Sequence, residues 1–317
     1  MSDATAAVAC SVATAFAPAS VGNVAIGFDI LGFSINAIGD RVTARRSAAA
    51  GVSIKAIRGV VQDLPLEAAK NTAGRAVMAL HEAQPLDFGI ELTIDKGIPL
   101  ASGLGGSAAS AVAAVVAANA LLPLPRTQLE LLHYAMQGEA VASGSMHVDN
   151  IAPSLYGGLV LTVGIEHPRV KQIPVPASIR AVIVHPHMFL STRQARAILK
   201  SSVQMADFVW QTANLAGFIS GCYTNDLDML RDSFQDVVIE HQRAALIPGF
   251  GEVRGAALAA QAIGCSISGA GPTVFAWCLE EHAAAVRDAM VHEFARHRLQ
   301  SDHWITAVEP VGAHVVD

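Results

Sequence analysis

The sequence has little charge and no basic patch. Asp, Glu, Lys and Arg make up only 15% of the 317 residues, the formal net charge is −6 and the sequence pI is about 6.0. Binding to the phosphate backbone of DNA or RNA requires clustered Lys and Arg side chains. The composition therefore argues against nucleic acid as a partner.

The sequence also lacks paired cysteines and a basic leader. Cys10, Cys222, Cys265 and Cys278 form no Cys-x-x-Cys motif, a pattern typical of free thiols in a reducing compartment. The Ala-rich N-terminus has no basic segment and makes a poor signal peptide. Both features favour a cytoplasmic protein.

The segment between Lys96 and Arg126 contains no charged residue. Such a long uncharged segment raises the question of a membrane span. The first part of this stretch is rich in Gly, Pro and Ser, and the remainder is mostly Ala, which is only weakly apolar. We expect a buried helix in a globular core and no membrane contact. The 52% of hydrophobic residues is enough to build large cores.

Apolar periodicity predicts strands and helices in mixed order without a strict βαβ repeat, so the expected fold class is α+β. The first predicted strand, 12–17, breaks at Pro18 into a loop that reaches Asp29. The stretch 166–178 holds three prolines and several charges. We expect it to separate two domains, 1–168 and 169–317.

The stretch with the clearest chemistry is Pro99-Leu-Ala-Ser-Gly-Leu-Gly-Gly-Ser-Ala-Ala-Ser110, which leads into an Ala-rich helix. Gly103, Gly105 and Gly106 lack Cβ atoms, so backbone N–H groups can close on a bulky anion. The first turn of the helix adds unpaired N–H groups and the positive end of its dipole. The pattern predicts a phosphate site, and the alternative is a flexible linker beside a buried helix.

Two familiar phosphate loops fit this stretch poorly. Gly103-x-Gly105-x-x-Ala108 has dinucleotide-binding spacing, but the acidic residue that would bind a ribose is missing, since none follows until Glu130. A Walker A loop requires Gly-Lys-Ser/Thr, and this loop has no lysine. The charge of a nucleoside triphosphate would then be balanced by the helix dipole and a metal ion. Ser107 and Glu139 could supply two oxygen ligands to Mg²⁺, although Glu139 could equally be an exposed helix residue.

The loop is similar to the phosphate motif of the GHMP small-molecule kinases. Four other segments also resemble this family: the first three resemble its members that act on homoserine, and the last resembles the C-terminal glycine motif of the family. These segments are Ala17-Pro-Ala-Ser-x-Gly-Asn followed by Gly-Phe-Asp-x-Leu-Gly, His147-Val-Asp-Asn-Ile-Ala-Pro153, Leu246-Ile-Pro-Gly249 and Ser268-Gly-Ala-Gly-Pro-Thr273. The similarity runs over nearly the whole chain. Gly106 replaces a serine that is usual in the family, and Thr273 stands where serine is common.

The resemblance implies a two-domain α+β fold. Its N-terminal ATP-binding α/β domain would contain a β-α-β unit with a left-handed crossover, and its C-terminal ferredoxin-like domain would complete the substrate pocket. It also implies ATP-dependent phosphorylation of the side-chain hydroxyl of L-homoserine in threonine biosynthesis, with ATP and Mg²⁺ as cofactors, and a homodimer. The alternatives are a kinase of another alcohol, such as shikimate or a mevalonate-pathway metabolite, and a nucleotide-binding homologue without turnover.

The resemblance further implies which residues form the site. Homoserine would contact Asn23, Asp29, His147, Thr192, Arg196, Arg243 and Gly269. ATP would contact Asn71, Pro99, Ser102, Gly103, Leu104, Gly105, Gly106, Ser107 and Ala108. The catalytic residues would be Glu139, Asp149 and Asn150, and the metal ligands Ser107 and Glu139. Asp149 is the only nearby acid that could act as a base, but we expect alignment of the substrate to matter more.

The charged residues of this set also suit homoserine chemically. A forked arginine binds a carboxylate well, which makes Arg196 and Arg243 candidates and Arg193 a weaker one. The ammonium group requires a carboxylate, and Asp29, near Asn23, can provide it. Mevalonate and galactose have no amine and would have less use for Asp29. Each arginine taken alone could also be an ordinary surface residue.

Overall fold

A larger mixed sheet and a smaller antiparallel sheet organise the chain in the computed structural model, which describes residues 10–84, 86–143 and 148–316. Within these residues, no helix is both long and apolar enough to cross a membrane. The uncharged stretch after Lys96 forms a buried helix, as expected.

The larger sheet has seven strands in the described part of the chain, with a central order β1-β2-β4-β3. The strands are β1 (Val12–Gly22), β2 (Leu31–Ser47), β3 (Val52–Gly59), β4 (Gly89–Lys96), β5 (Leu159–Val163), β6 (Arg169–Ile173) and β11 (His314–Val315). β5 pairs with β2, β6 with β5, and β11 with β1. β3 and β4 are parallel and enclose a helix, so the expected β-α-β unit is present. The hand of its crossover stays a prediction.

Four helices pack with this sheet and build its core. They are α1 (Thr72–Ala83), α2 (Gly106–Asn119), α3 (Gln128–Ser143) and α4 (Val148–Tyr156). α2 lies in the centre, against β1, β2 and the other three helices. Its Ala and Val side chains are small, which allows this close approach on all sides. The packing fixes the glycine loop, because the loop ends where α2 begins.

β1 continues through Pro18, so the predicted break at this residue is wrong. The pairing with β2 shifts register between Pro18 and Ala19, from Gly39 to Ile35. Such a bulge tolerates a residue that has no N–H to donate. The strand ends only at Gly22, which brings the following turn close to the glycine loop.

The smaller sheet is antiparallel, in the order β10-β7-β9-β8. Its strands are β7 (Ile179–Pro186), β8 (Ala262–Ile267), β9 (Val274–Leu279) and β10 (Ser301–Ala307). The remaining helices are α5 (Thr192–Ala197), α6 (Met205–Thr224), α7 (Leu227–Ser233), α8 (Glu240–Arg243), α9 (Phe250–Ala259) and α10 (Ala283–Arg296). The strand order is that of a ferredoxin-like β-α-β-β-α-β unit, which confirms the predicted C-terminal fold.

The two sheets share apolar packing. The Phe33 ring on β2 lies 5.5 Å from Phe275 and 5.7 Å from Trp277, both on β9. β6 and β11 follow the predicted boundary at residue 168, yet both belong to the larger sheet. The division into 1–168 and 169–317 stays a prediction, and the sheets show that the end of the chain returns to the N-terminal unit.

Candidate active site

A cavity of about 610 Å³ opens between the glycine loop, the start of α4, the turn after β1, and α5. Among the described residues, every residue predicted for the site lines this cavity except Leu104 and Ala108, whose side chains lie in the core. His147 lies outside the described residues. We call the region of residues 99–107 with Glu139 the loop end, and the region of Asp29, Arg196 and Arg243 the charged end.

The carbonyl oxygens of the glycine loop are bound by other parts of the chain. The Thr273 hydroxyl donates to the Ser102 carbonyl at 2.6 Å, and the Ser268 hydroxyl donates to the Gly103 carbonyl at 2.6 Å. The backbone N–H of Ser20 donates to the Leu104 oxygen at 3.1 Å. In a trans peptide the next N–H points away from the carbonyl. These contacts therefore hold the carbonyls away from a bound anion.

The backbone N–H groups at the start of α2 form the anion-binding side of the loop. Gly105 is the N-cap, with φ of 65°, a left-handed conformation that favours glycine. The N–H groups of residues 106–108 have no acceptor among the described residues, as expected for the first turn of a helix. Through this backbone, Ala108 can still take part although its side chain is buried. The arrangement suits a phosphate.

Ser107 and Glu139 meet at the loop end although 32 residues separate them. The Ser107 hydroxyl donates to Glu139 Oε1 at 3.0 Å, and Glu139 is 8% exposed. No group of three or more His, Cys, Asp or Glu side chains that could hold a metal occurs in the described ranges. One hydroxyl and one carboxylate are nevertheless a fitting protein contribution for Mg²⁺, which takes its other ligands from phosphates and water.

Lys96 is a cavity residue next to the loop end that sequence reasoning missed. It lies three positions before Pro99, outside the loop itself, and its side chain runs beneath the loop to the first turn of α2. Its ammonium group bonds the Asp40 carboxylate, the Gly106 carbonyl and the Ser110 hydroxyl. The position of Lys96 at the edge of the uncharged stretch was the available signal.

At the charged end, Asp29 and Arg196 bind each other. One Arg196 guanidinium nitrogen lies 2.7 Å from Asp29 Oδ1 and 2.5 Å from Oδ2. Asn23 supports this corner, because its Oδ1 accepts from the Asp29 N–H at 3.1 Å and its Nδ2 donates to the Gly269 carbonyl at 2.8 Å. Both partners of the ion pair are more than one-third exposed, so the pair contributes little to stability. Its charges remain accessible from the cavity.

Arg243 differs from Arg196 because it is only 4% exposed. Its guanidinium donates to two carbonyls, those of Ala195 at 3.1 Å and Gly269 at 2.9 Å. No carboxylate of the described chain lies within 4.0 Å of it. Burial lowers the pKa of Arg243, and the nearby Arg196 lowers it further, whereas Asp29, Asp236 and Asp149 act in the opposite sense.

Phe28 holds the two guanidinium groups at the charged end. Its ring centre lies 5.3 Å from the Arg196 guanidinium carbon and 5.2 Å from that of Arg243. A ring face attracts cations, and this attraction offsets part of the repulsion between the two arginines. Sequence reasoning quoted Phe28 within a motif but gave it no role, because nothing in the sequence places two arginines against it.

Asn150 and Asp149 enter the cavity from α4, close to the turn after β1. The Ser20 hydroxyl donates to Asn150 Oδ1 at 3.0 Å, which leaves the amide NH₂ of Asn150 to face a ligand. A Cβ atom on Gly22 would lie 2.3 Å from Asp149 Oδ2, so only glycine lets β1 pass this close. Both side chains lie where they can contact molecules bound at either end.

Three other predicted residues also line the cavity. Asn71 caps α1, since its Oδ1 accepts from Ala73 and Gly74, and its Nδ2 donates to the Pro65 carbonyl at 3.0 Å. Thr192 and Arg193, at the start of α5, are exposed and line the opposite wall. Arg193 has no carboxylate within salt-bridge distance in the described chain, but its exposure keeps it a weaker candidate.

The sequence matches two profiles of one family. The GHMP kinases N terminal domain matches residues 71–158, and the GHMP kinases C terminal region matches residues 218–296. The first range contains the glycine loop, Glu139 and Asn150, and the second contains Arg243 and Gly269. Both ends of the cavity therefore draw residues from regions typical of the family.

Individual relatives extend the match to almost the full chain. Homoserine kinase from Xylella fastidiosa (strain 9a5c) is 50% identical over 305 residues, which are 96% of this chain and 94% of the relative. Homoserine kinase from Chlorobaculum tepidum is 42% identical over 316 residues, covering 96% and 98%. The crystal structure of homoserine kinase from Cytophaga hutchinsonii has a TM-score of 0.94 at 42% identity, covering 97% of this chain and 98% of that one. On these grounds the chain belongs to the GHMP kinase family, in which it groups with homoserine kinases.

Proposed function

We propose that this chain transfers the γ-phosphoryl group of ATP to the side-chain hydroxyl of L-homoserine, which gives O-phospho-L-homoserine in threonine biosynthesis. The observation that carries the proposal is the buried Arg243, which has no carboxylate of the described residues within 4.0 Å and shares a cavity with a glycine loop. A buried cation without a counter-ion is unfavourable unless a ligand anion joins it. Membership of a kinase family implies ATP as the donor, and relatives named homoserine kinase support the substrate.

We assign the charged end to the two charges of homoserine. Its carboxylate accepts hydrogen bonds from Arg243 and Arg196, and its ammonium group faces Asp29. Because Asp29 and Arg196 contact each other directly, binding replaces one ion pair by two. Asn23 keeps Asp29 in place, and the remaining wall is formed by Thr192 and Gly269. His147 is included by resemblance alone.

We assign the loop end to ATP. The phosphates lie against the N–H groups of residues 106–108, with Ser102, Gly103 and the backbone of Leu104 in the same turn. The base lies beside Asn71 and Pro99, where the cavity wall also contains apolar side chains. Gly106 lacks the side-chain hydroxyl of the serine that is usual in the family at this position. Every backbone N–H donor of the turn nevertheless remains.

The loop end also suits Mg²⁺, which would bind Ser107 and Glu139. When bound, the ion would neutralise part of the phosphate charge. The Ser107 hydroxyl donates to Glu139 Oε1 at 3.0 Å, so the two oxygens are already adjacent.

Alignment is the main catalytic contribution that we propose for Asn150 and Asp149. Phosphoryl transfer has a loose transition state, so the attacking hydroxyl needs position more than deprotonation. Asn150, oriented by Ser20, donates its amide N–H to the homoserine hydroxyl oxygen or the transferred phosphoryl group. An Asp149→Asn variant should retain measurable turnover; complete loss of turnover with intact homoserine binding would instead identify Asp149 as an essential base.

A coupled assay of ADP release tests the substrate. We expect turnover with L-homoserine, and at least about 100-fold lower kcat/KM for 4-hydroxybutyrate, which lacks the ammonium group, and for 3-aminopropanol, which lacks the carboxylate. Shikimate and mevalonate complete the panel. Clear activity on one of these with none on homoserine would refute the proposed substrate, and ATP binding without turnover on any alcohol would identify a non-catalytic homologue.

We also propose that the protein is a cytoplasmic homodimer. The resemblance supports the dimer, and so do exposed apolar side chains on α6, namely Met205, Phe208, Val209 and Trp210. The four free cysteines support a reducing compartment. Light scattering of the purified protein tests the dimer, which a monomer mass at micromolar concentration would contradict. Cell fractionation tests the location.

A further inference from the structure

A buried ion pair joins the two ends of the glycine loop. Lys96, the last residue of β4, is 6% exposed, and Asp40 of β2 is 0% exposed. Asp40 Oδ1 accepts from the backbone N–H groups of Gly97 at 2.9 Å and Ile98 at 3.2 Å. These two residues are the entry of the loop. Asp40 therefore fixes the direction in which the chain leaves β4.

Lys96 fixes the exit of the same loop. Its ammonium donates to the Gly106 carbonyl at 2.7 Å and to the Ser110 hydroxyl at 2.9 Å, and both residues lie in the first turns of α2. The Ser110 hydroxyl in turn donates to Asp40 Oδ2 at 2.6 Å, and Lys96 bonds the same carboxylate. Entry and exit are thus tied to one buried cluster.

The cluster leaves no donor of Lys96 for a ligand. A lysine ammonium has three N–H groups, and Asp40, Gly106 and Ser110 accept all three. The lysine of a Walker A loop acts differently, because it contacts the phosphates themselves. Lys96 is close to the phosphate site and yet fully engaged by the protein.

We propose that Lys96 and Asp40 are positioning residues for the phosphates of ATP, and that they act through the shape of the loop. By holding the entry at Gly97 and the exit at Gly106, the pair sets the spacing and direction of the N–H groups between them. The inference rests on the proposed binding of ATP phosphates at this loop. It predicts that both members of the pair are needed for phosphate affinity and that neither is needed for the base.

Calorimetric titration with ADP and with adenosine, both in the presence of Mg²⁺, tests this inference. Lys96→Met and Asp40→Asn are each expected to lower ADP affinity about thirtyfold, the effect of losing one or two charge-assisted hydrogen bonds. Adenosine affinity should stay within about twofold. The Asp40→Asn/Lys96→Met double variant should be no weaker than the weaker single variant, because the pair acts as a unit.

A matched control is available on the neighbouring strand β3. Lys55 pairs with Glu91 of β4 at 3.4 Å, and the Lys55 side chain is 62% exposed. Lys55→Met removes a lysine–carboxylate pair that does not touch the loop, so it should change neither ADP nor adenosine affinity.

Two outcomes would contradict this inference, and the measurements distinguish them from each other. ADP affinity that falls in Lys96→Met but is unchanged or higher in Asp40→Asn would mean that Lys96 contacts phosphate directly. An equal fall for adenosine would mean a general structural loss. Both results would overturn the inference.

Lys96→Met leaves a buried carboxylate unpaired and can fail to fold. The double variant removes both charges, and Ser110→Ala removes only the shared hydroxyl, with an expected loss of about threefold for ADP. Unchanged ADP affinity in both would refute the inference as well. If the unmodified protein did not bind ADP, the proposed function itself would be refuted. If it bound ADP with an affinity that did not depend on Lys96 and Asp40, only this inference would be refuted.

Discussion

At the loop end of the cavity the donors are backbone N–H groups, and the Lys96 and Asp40 side chains bind each other beneath the loop. At the charged end the charged groups are the side chains of Asp29, Arg196 and Arg243, and Arg243 is a buried cation with no carboxylate of the described chain within 4.0 Å. We propose that the first arrangement binds a phosphate chain of suitable shape, and that the second selects a molecule that carries a carboxylate and an ammonium group at a fixed separation.

The two ends also differ in how the fold assembles them. The loop end comes from one continuous segment between β4 and α2, to which α3 adds only Glu139. The charged end combines a turn after β1 with α5 and α8 of the C-terminal half. Substitutions in these short, separate elements can therefore change which substrate binds, while the phosphate site stays the same. Variants at each end should separate the two functions.

The largest effect is expected from Arg243→Met at the charged end. The value of kcat/KM for homoserine should fall about 10³-fold, or ~4 kcal/mol, the range found when a buried charged partner is removed. The KM for ATP should change by less than about threefold. Steady-state kinetics with each substrate varied in turn measures both.

The stability of Arg243→Met separates a ligand-binding role from a structural one. Replacing Arg243 by methionine removes the free-energy cost of burying a charge. This gain offsets the loss of the two hydrogen bonds from Arg243 to carbonyl groups. The free energy of unfolding should therefore change by less than about 1 kcal/mol. Arg231→Met, on an exposed surface, is the control and should alter neither kinetics nor stability. A large loss of stability in Arg243→Met would mean that Arg243 serves mainly the fold.

A smaller effect is expected from Asp29→Asn. The variant keeps the shape of the side chain but removes the charge that we assign to the homoserine ammonium. The KM for homoserine should rise about fiftyfold, because a charge-assisted contact is lost, and the KM for ATP should not change. The preference for homoserine over 4-hydroxybutyrate, which has no ammonium group, should shrink in parallel.

Asp228→Asn is the matched control for Asp29→Asn. Asp228 also pairs with an arginine, Arg231 at 2.7 Å, but the Asp228 side chain is 89% exposed and lies on α7. It should leave both KM values unchanged. If Asp29→Asn lowered kcat and left the KM for homoserine constant, Asp29 would act in the chemical step and not in recognition of the amine.

The sequence was most informative where function depends on neighbouring residues. A glycine loop followed by a helix has its chemistry in consecutive positions, so its place at the cavity was predictable. The strand order of the C-terminal sheet was available only by resemblance. The predicted strand break at Pro18 was wrong, because the bulge that accommodates this residue depends on the pairing of β1 with Gly39 and Ile35 of β2. Local sequence propensity contains no information about a partner strand.

The sequence was least informative where side chains meet over long separations. Lys96 contacts Asp40 from 56 positions away, and its position at the edge of the uncharged stretch did not indicate the direction in which its side chain runs. Phe28 touches two arginines from different helices. Both roles depend on which direction a side chain takes once strands have paired, and apolar periodicity carries no such information.

The smallest effect is expected from Gly106→Ser, which restores the residue usual in the family at the loop end. The helical backbone accepts serine there, but an added Cβ would lie 3.1 Å from Ile98 Cγ2 and 3.4 Å from Ile98 Cβ. Ile98 is branched at Cβ and fully buried, so it cannot easily give way. The net loss should be about 1 kcal/mol, from overpacking partly offset by the better helix propensity of serine.

Thermal unfolding and ATP kinetics check this prediction. The Tm of Gly106→Ser should fall by about 2 °C, and the KM for ATP should rise by no more than about threefold while the KM for homoserine stays constant. Ile98→Leu moves the side-chain branch away from Cβ at constant volume. The Gly106→Ser/Ile98→Leu variant should therefore have the same Tm as Ile98→Leu alone. A Gly106→Ser variant that was more stable and bound ATP more tightly would contradict this account, because Ile98 would then not be what favours glycine at position 106.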